Sequence, residues 1–200
     1  IVQFEILWHV LAGHVSLITL KIEARQEIFP LKHPFRISRG SRTEASVVTV
    51  NVSDGDFTGR GEGVPISRYS QTVDSVLSQV SSVATVRDLN RNKLPELLGP
   101  GAARNALDCA LWDLEAKRSG KRAWELADIR IADEVETSFT ISLDTPERMA
   151  DAAAAAIDLP ILKLKLCGDD DDLARVEAVR AAAPNARLLI DANESWSPRH

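Results

Sequence analysis

From Leu20 onward the spacing of apolar positions along the chain changes character twice. Residues 20–29 and 45–52 (ASVVTVNV) are rich in β-branched side chains and bounded by turn formers. Asp54-Gly55 then marks a hairpin into a short strand near 57–62. This stretch predicts an antiparallel sheet. The period then lengthens to that of a helix, first near 70–83 and then over 101–118. In the second segment Leu107, Ala110, Leu111 and Leu114 fall on one face after Pro100-Gly101, and Gly120 ends the run. Strands followed by helices are the order of an α+β unit.

After about residue 134 the two periods alternate. Residues 137–142 (TSFTIS) read as a strand, and Pro146 opens an Ala-rich helix to about Ile157. Residues 161–166 (ILKLKL) read as a second strand, 170–182 as a helix and 187–191 (RLLID) as a third strand. Such alternation predicts parallel strands joined by crossover helices. No glycine fingerprint of a dinucleotide fold follows any of these strands, so a (β/α) barrel is favoured over a doubly wound sheet. The expected organisation is an apolar extension over 1–19, an α+β domain over 20–133, and the first βα units of a barrel over 134–200. A complete barrel needs eight such units and about 250 residues, so only its beginning is supplied.

Composition changes this picture little. With 44% apolar residues in 200 the chain can bury a real core, and a net charge of −5 spread over interspersed acids and bases argues against a nucleic-acid footprint or a polybasic membrane patch. A small molecule is the expected partner. Cys109 and Cys167 fit neither metal-ligand spacing nor a disulfide scaffold, which points to a reducing cytoplasm. The opening run IVQFEILWHVLAGHVSLITL has no basic leader or small-residue cleavage site. Glu5, His9 and His14 interrupt it, so it reads as an extension rather than a membrane span.

Candidate chemistry gathers at two strand ends. Lys163 and Lys165 are two apart in a strand, so both ammonium groups fall on one face, with Leu162, Leu164 and Leu166 on the other. Inside a barrel this is costly, because that space is normally packed with apolar side chains. Each ammonium also disfavours protonation of its neighbour, the condition for a lysine to act as a base. A solvated strand face explains the spacing equally well. One βα unit later, Asp191 in LLIDANESW ends its strand where barrel enzymes place metal ligands, and carboxylates suit Mg²⁺. A lone Asp in that place is more often a cap for the next helix.

The combination of HPFRISRGSR, the helix GPGAARNALDCALWDLEAKRSGK, the strand LKLKL and the strand end DANESW resembles the dipeptide epimerases of the enolase superfamily, from about Leu20 to Trp196. The lysine pair is shared with muconate cycloisomerases and o-succinylbenzoate synthases, so those activities and N-acylamino-acid racemisation stand as alternatives, as does a non-catalytic fragment. The resemblance implies an isomerase acting on Ala-Glu-type dipeptides with Mg²⁺, a homo-oligomer when full length, in which Lys165 is the acid/base at the substrate α-carbon. It implies further that Lys163 tunes Lys165, that Asp191 binds the metal, and that Arg39 in the capping loop RISRGSR meets the substrate's side-chain carboxylate. Arg36 and Arg42 compete with Arg39 for that role. Thr140 matches a substrate-contacting position, and Tyr69 falls in the second capping loop. A Lys base paired with Mg²⁺ is the superfamily's general pattern, not something this spacing reveals. Asp108, Asp113 and Glu62 are expected to be structural, and Cys167 and the stripe LARVEAVRAAA to serve packing.

Overall fold

A computed structural model describes residues 20–130 and 134–198. The reading of residues 1–19 lies outside them. The chain divides into two compact units, one comprising residues up to 25 with 48–123 and the other residues 26–47 with 124 onward.

The first unit is built on the contact between strand β3 (Thr58–Gly63) and helix α3 (Ala102–Ser119). Strand β2 (Gly40–Ser53) pairs antiparallel with β3, from Val48 opposite Gly63 to Ser53 opposite Thr58, and Val48, Val50 and Val52 are fully buried. On β3 every second residue is glycine. A β-carbon on Gly59, Gly61 or Gly63 would overlap the backbone carbonyl of Ala110, Ala106 or Ala102 respectively. Two residues of strand advance about 6.6 Å and four residues of helix about 6 Å, so the Gly row and the Ala row run in near register over the contact. Small residues on both sides let the backbones approach. Helix α1 (Val73–Val83), opened by a reciprocal Thr72–Ser75 cap, and the short α2 (Leu94–Leu97) complete this core.

Helix α3 ends at Gly120, whose φ of 66° is a left-handed conformation that any other L-residue adopts at a cost. The acidic groups expected to be structural on this helix include Asp113, which accepts hydrogen bonds from the Arg60 backbone N–H at 2.8 Å and the Lys117 ammonium at 2.8 Å.

In the second unit, β4 (Phe139–Ile141), β5 (Ile161–Lys165) and β6 (Arg187–Asp191) form a parallel sheet in the order β4-β5-β6. Helices α5 (Pro146–Ala154) and α6 (Asp172–Ala182) provide the crossovers, and the four-residue α4 (Ala123–Leu126) precedes β4. Sequential neighbours with a helix between each successive pair of strands are the start of a (β/α) barrel. Leu162, Leu164 and Leu166 are fully buried with Ile141, Met149 and Val179, the face that the alternation in ILKLKL predicts.

The segment RISRGSR, expected to be a loop, is instead the tip of a hairpin. Strand β1 (Lys21–Ile37) runs to Ile37, β2 resumes at Gly40, and only Ser38 and Arg39 form the turn. The strands extend this far although few of their side chains are buried, because the ladder satisfies their backbone groups. Among the described residues, no helix is long and apolar enough to cross a membrane.

Candidate active site

Parallel register places Lys163 opposite Leu189 and Lys165 opposite Asp191. Paired residues on neighbouring strands point to the same face, so Asp191 joins the two lysines at the C-terminal end of the sheet. A single oxygen, Asp191 Oδ2, receives Lys165 Nζ at 2.6 Å and Lys163 Nζ at 2.9 Å. Lys165 is the more enclosed, at 8% exposure. It also lies 5.9 Å from the centre of the Phe35 ring, within cation–π range. The Lys165 hydrogen bond, and then that of Lys163, hold the Asp191 carboxyl well below the usual carboxylate range. Three polar groups from two strands thus form one charge cluster.

Thr140 pairs with Lys163 across β4 and β5 and therefore shares its face. The three loop arginines separate by partner. Arg36 is engaged with the Asp144 carboxylate, and its backbone carbonyl accepts the Leu143 N–H at 3.2 Å. Arg42 stacks over Phe35 at 5.2 Å. Arg39, at the hairpin turn, donates to the Asn193 carbonyl at 2.9 Å and lies 3.4 Å from the Glu194 carboxylate. Of the three, Arg39 alone meets the loop that follows Asp191. Tyr69 belongs to the first unit, where it is 68% exposed and lines, with Val64 and Ile66, an open cleft of about 490 Å³.

Mg²⁺ takes carboxylate and carbonyl oxygens. The Asp191 carboxylate is ionised, its Oδ1 receives only the Asn193 N–H at 2.9 Å among the described partners, and Asn193 Oδ1 is buried with no hydrogen-bond partner among the described residues. An ionised carboxylate and, two residues on, an orphaned amide oxygen are donors that suit such an ion. The other grouping with metal-ligand spacing, Cys167, Asp169 and Asp172, does not. Its centre is filled by the Arg175 guanidinium, which hydrogen-bonds all three side chains.

Sequence reasoning passed over that Arg175 cluster, reading its helix as a packing stripe. Of the three buried residues on α6, Asp172 and Arg175 are charged and only Val179 is apolar. Asp172 and Arg175, opposite charges three apart on a helix, were the available signal. Asn193 and Glu194 stand next to Asp191 in the sequence, but no role was read for them. Both have positive φ, 49° and 68°, conformations that non-glycine residues rarely adopt.

The model of the mandelate racemase / muconate lactonizing enzyme N-terminal domain matches residues 19–127. The L-Ala-D/L-Glu epimerase of Escherichia coli K12 is 41% identical over 88% of this chain, which spans 56% of that relative's length. A crystal structure of an enolase family member from Agrobacterium tumefaciens, described as having homology to dipeptide epimerases and holding sodium and L-Ala-L-Glu, is 47% identical. It superposes with a TM-score of 0.84 over 90% of this chain and 56% of that one. A dipeptide epimerase from Enterococcus faecalis, complexed with Mg and L-Leu-L-Tyr, is 26% identical with a TM-score of 0.81, over 90% of this chain and 55% of that one. The chain therefore spans little more than half the length of each of these.

Proposed function

Because the chain belongs to the mandelate racemase / muconate lactonizing enzyme family, whose capping domain it carries, we propose that it forms part of a Mg²⁺-dependent dipeptide epimerase acting on Ala-Glu-type substrates. The observation that carries this reading is the convergence of Lys163 and Lys165 on one oxygen of Asp191 at the C-terminal end of a parallel sheet. That is the end at which barrel enzymes do their chemistry.

Asp191 would hold the cation, with Asn193 Oδ1 beside it. A Mg²⁺ ion held there would supply positive charge to offset the negative charge that develops on a substrate carboxylate when its α-proton is removed. Lys165 stands one inward-facing step nearer the strand end than Lys163, about 6.6 Å of strand. It is therefore the lysine that reaches the α-carbon, where its uncharged amine form takes the α-proton onto Nζ from one face. Lys163 sits deeper, where it keeps positive charge beside the bound carboxylate without touching the α-carbon. Thr140, on the same face, adds a hydroxyl beside Lys163. A base on the opposite face returns a proton with inverted configuration.

Arg39 is the arginine available to a side-chain carboxylate. Its present partners are a carbonyl oxygen and an exposed glutamate, whereas Arg36 and Arg42 are tied to Asp144 and Phe35. A substrate carboxylate would replace Glu194 as the anion on its guanidinium.

The complete protein, incubated in D₂O with Mg²⁺ and L-Ala-L-Glu, should incorporate deuterium at the glutamate α-carbon and yield L-Ala-D-Glu. No exchange, with or without metal, refutes the proposal.

A further inference from the structure

The loop bearing the candidate metal ligands is held in an unfavourable shape. Asn193 and Glu194 are consecutive residues at positive φ, 49° and 68°, and neither is glycine. Such conformations persist only where the surroundings over-determine them. Within the turn, Ser195 N–H donates to the Ala192 carbonyl at 3.0 Å, and Asn193 N–H donates to Asp191 Oδ1 at 2.9 Å. These bonds close the turn on itself. Ser38 and Arg39 at the hairpin tip also donate to the Asn193 carbonyl, at 3.4 and 2.9 Å, and a second hold comes from the strand–helix segment beside the turn.

Asp172, at the start of α6 and 7% exposed, provides that second hold. Its carboxylate accepts four donors. The backbone N–H groups of Cys167 and Gly168 reach it at 3.2 and 2.8 Å, Arg175 Nη1 at 2.9 Å, and Trp196 Nε1 at 2.8 Å. Three of the four come from the β5–α6 segment and would satisfy the carboxylate without Trp196. The indole N–H is the one donor from the loop after β6. Gly168 makes room for this approach: at its φ of 77°, a β-carbon would stand 2.7 Å from the Ser195 carbonyl oxygen. The loop after β6 thus lies directly on the loop after β5.

We propose that the Trp196–Asp172 hydrogen bond is a positioning device for the metal site. It clamps the strained Asn193–Glu194 turn so that the Asp191 carboxylate and the orphaned Asn193 amide oxygen are presented together. Trp196 and Asp172 touch neither substrate nor metal and act through Asp191 and Asn193. The inference rests on the Mg²⁺ reading above.

Trp196→Phe in the complete protein removes the single N–H and keeps an aromatic ring, while Asp172 retains three donors, so the fold persists. Two quantities decide the matter. The first is the Kd for Mn²⁺, measured by electron paramagnetic resonance without substrate. Outer-shell partners of metal ligands typically cost about 10–100-fold in metal affinity when removed, and a weakening of at least about tenfold is expected. The second is amide hydrogen exchange across residues 192–195 in metal-free protein, which should quicken while exchange in α3 stays unchanged. Faster exchange with weaker Mn²⁺ binding supports the clamp. Unchanged exchange overturns it, as does faster exchange with an unaltered Mn²⁺ Kd. If the unmutated protein binds no Mn²⁺, the metal reading fails instead, and the exchange measurement alone decides whether the bond holds the turn.

Discussion

Replacing Arg175 with Met should lower stability at neutral pH and also flatten its dependence on acid. Arg175 is 7% exposed and bonds Asp169, Asp172 and the Asp144 carbonyl at once. Breaking a buried ion pair costs about 3–5 kcal/mol when the remaining charge is left alone. Here Asp172 keeps three other donors and Asp169 is 46% exposed, so about 2 kcal/mol is the better figure. The acid dependence follows from Asp169, whose carboxyl is lowered to about 2, chiefly by its hydrogen bond from Arg175. A carboxyl depressed in the folded state contributes stability above its unfolded value near 4, and that contribution disappears as the pH falls toward 2. The full shift corresponds to about 2.4 kcal/mol, and solvent screening at a half-exposed site reduces it to about 1. At Asp172 burial pushes upward, but hydrogen bonds from Trp196 and the Gly168 and Cys167 backbone outweigh it. Its carboxyl is lowered too, and the substitution touches it less. Urea unfolding of the complete protein from pH 7 to pH 2.5 should therefore show the unmutated protein losing about 1 kcal/mol more than Arg175→Met below pH 4. Parallel loss in the two proteins would show that the guanidinium does not set the Asp169 titration, and the cluster would have to be redrawn.

Gly61→Ala should destabilise by about 1–3 kcal/mol, because its methyl would overlap Ala106 and stand 2.7 Å from the Ala110 nitrogen. Gly99→Ala, with nothing within 4 Å, should stay within about 0.5 kcal/mol, and thermal unfolding compares the two. Arg39→Ala should lower kcat/KM for acidic dipeptides by roughly 10- to 100-fold and leave neutral ones nearly unchanged. Equal losses for both substrate types would return the role to Arg36 or Arg42. Asp191→Asn should abolish most activity and shift the Mg²⁺ concentration for half-activation upward by at least about tenfold. A metal titration that superposes on that of the unmutated protein would show that Asp191 is no ligand.

What the sequence made legible follows from the range of its signals. The lysine face was readable because a strand's period of two is fixed by backbone geometry, and Leu162, Leu164 and Leu166 mark the opposite face. The partnership of Lys165 with Asp191 depends on parallel register across 26 residues, which neither segment encodes alone. The hairpin over 26–47 left little trace, since its side chains are mostly exposed and alternation between buried and solvated positions never develops. Helices of four residues, such as Leu94–Leu97 and Ala123–Leu126, are too short to show a helical period. The Asp172–Trp196 bond joins residues 24 apart through a turn whose positive φ values belong to Asn and Glu rather than glycine, so no turn signature announced it.

Most of the proposed chemistry turns on Lys165 being the base on one face of the substrate. It is tested by following α-proton exchange in D₂O from each glutamate epimer of Ala-Glu separately, in Lys165→Ala and Lys163→Ala forms of the complete protein. Lys165→Ala should lose exchange from one epimer and retain it from the other, while Lys163→Ala slows both. One-sided loss in Lys163→Ala, with Lys165→Ala slowed evenly, would contradict the assignment and the strand-end geometry on which it stands.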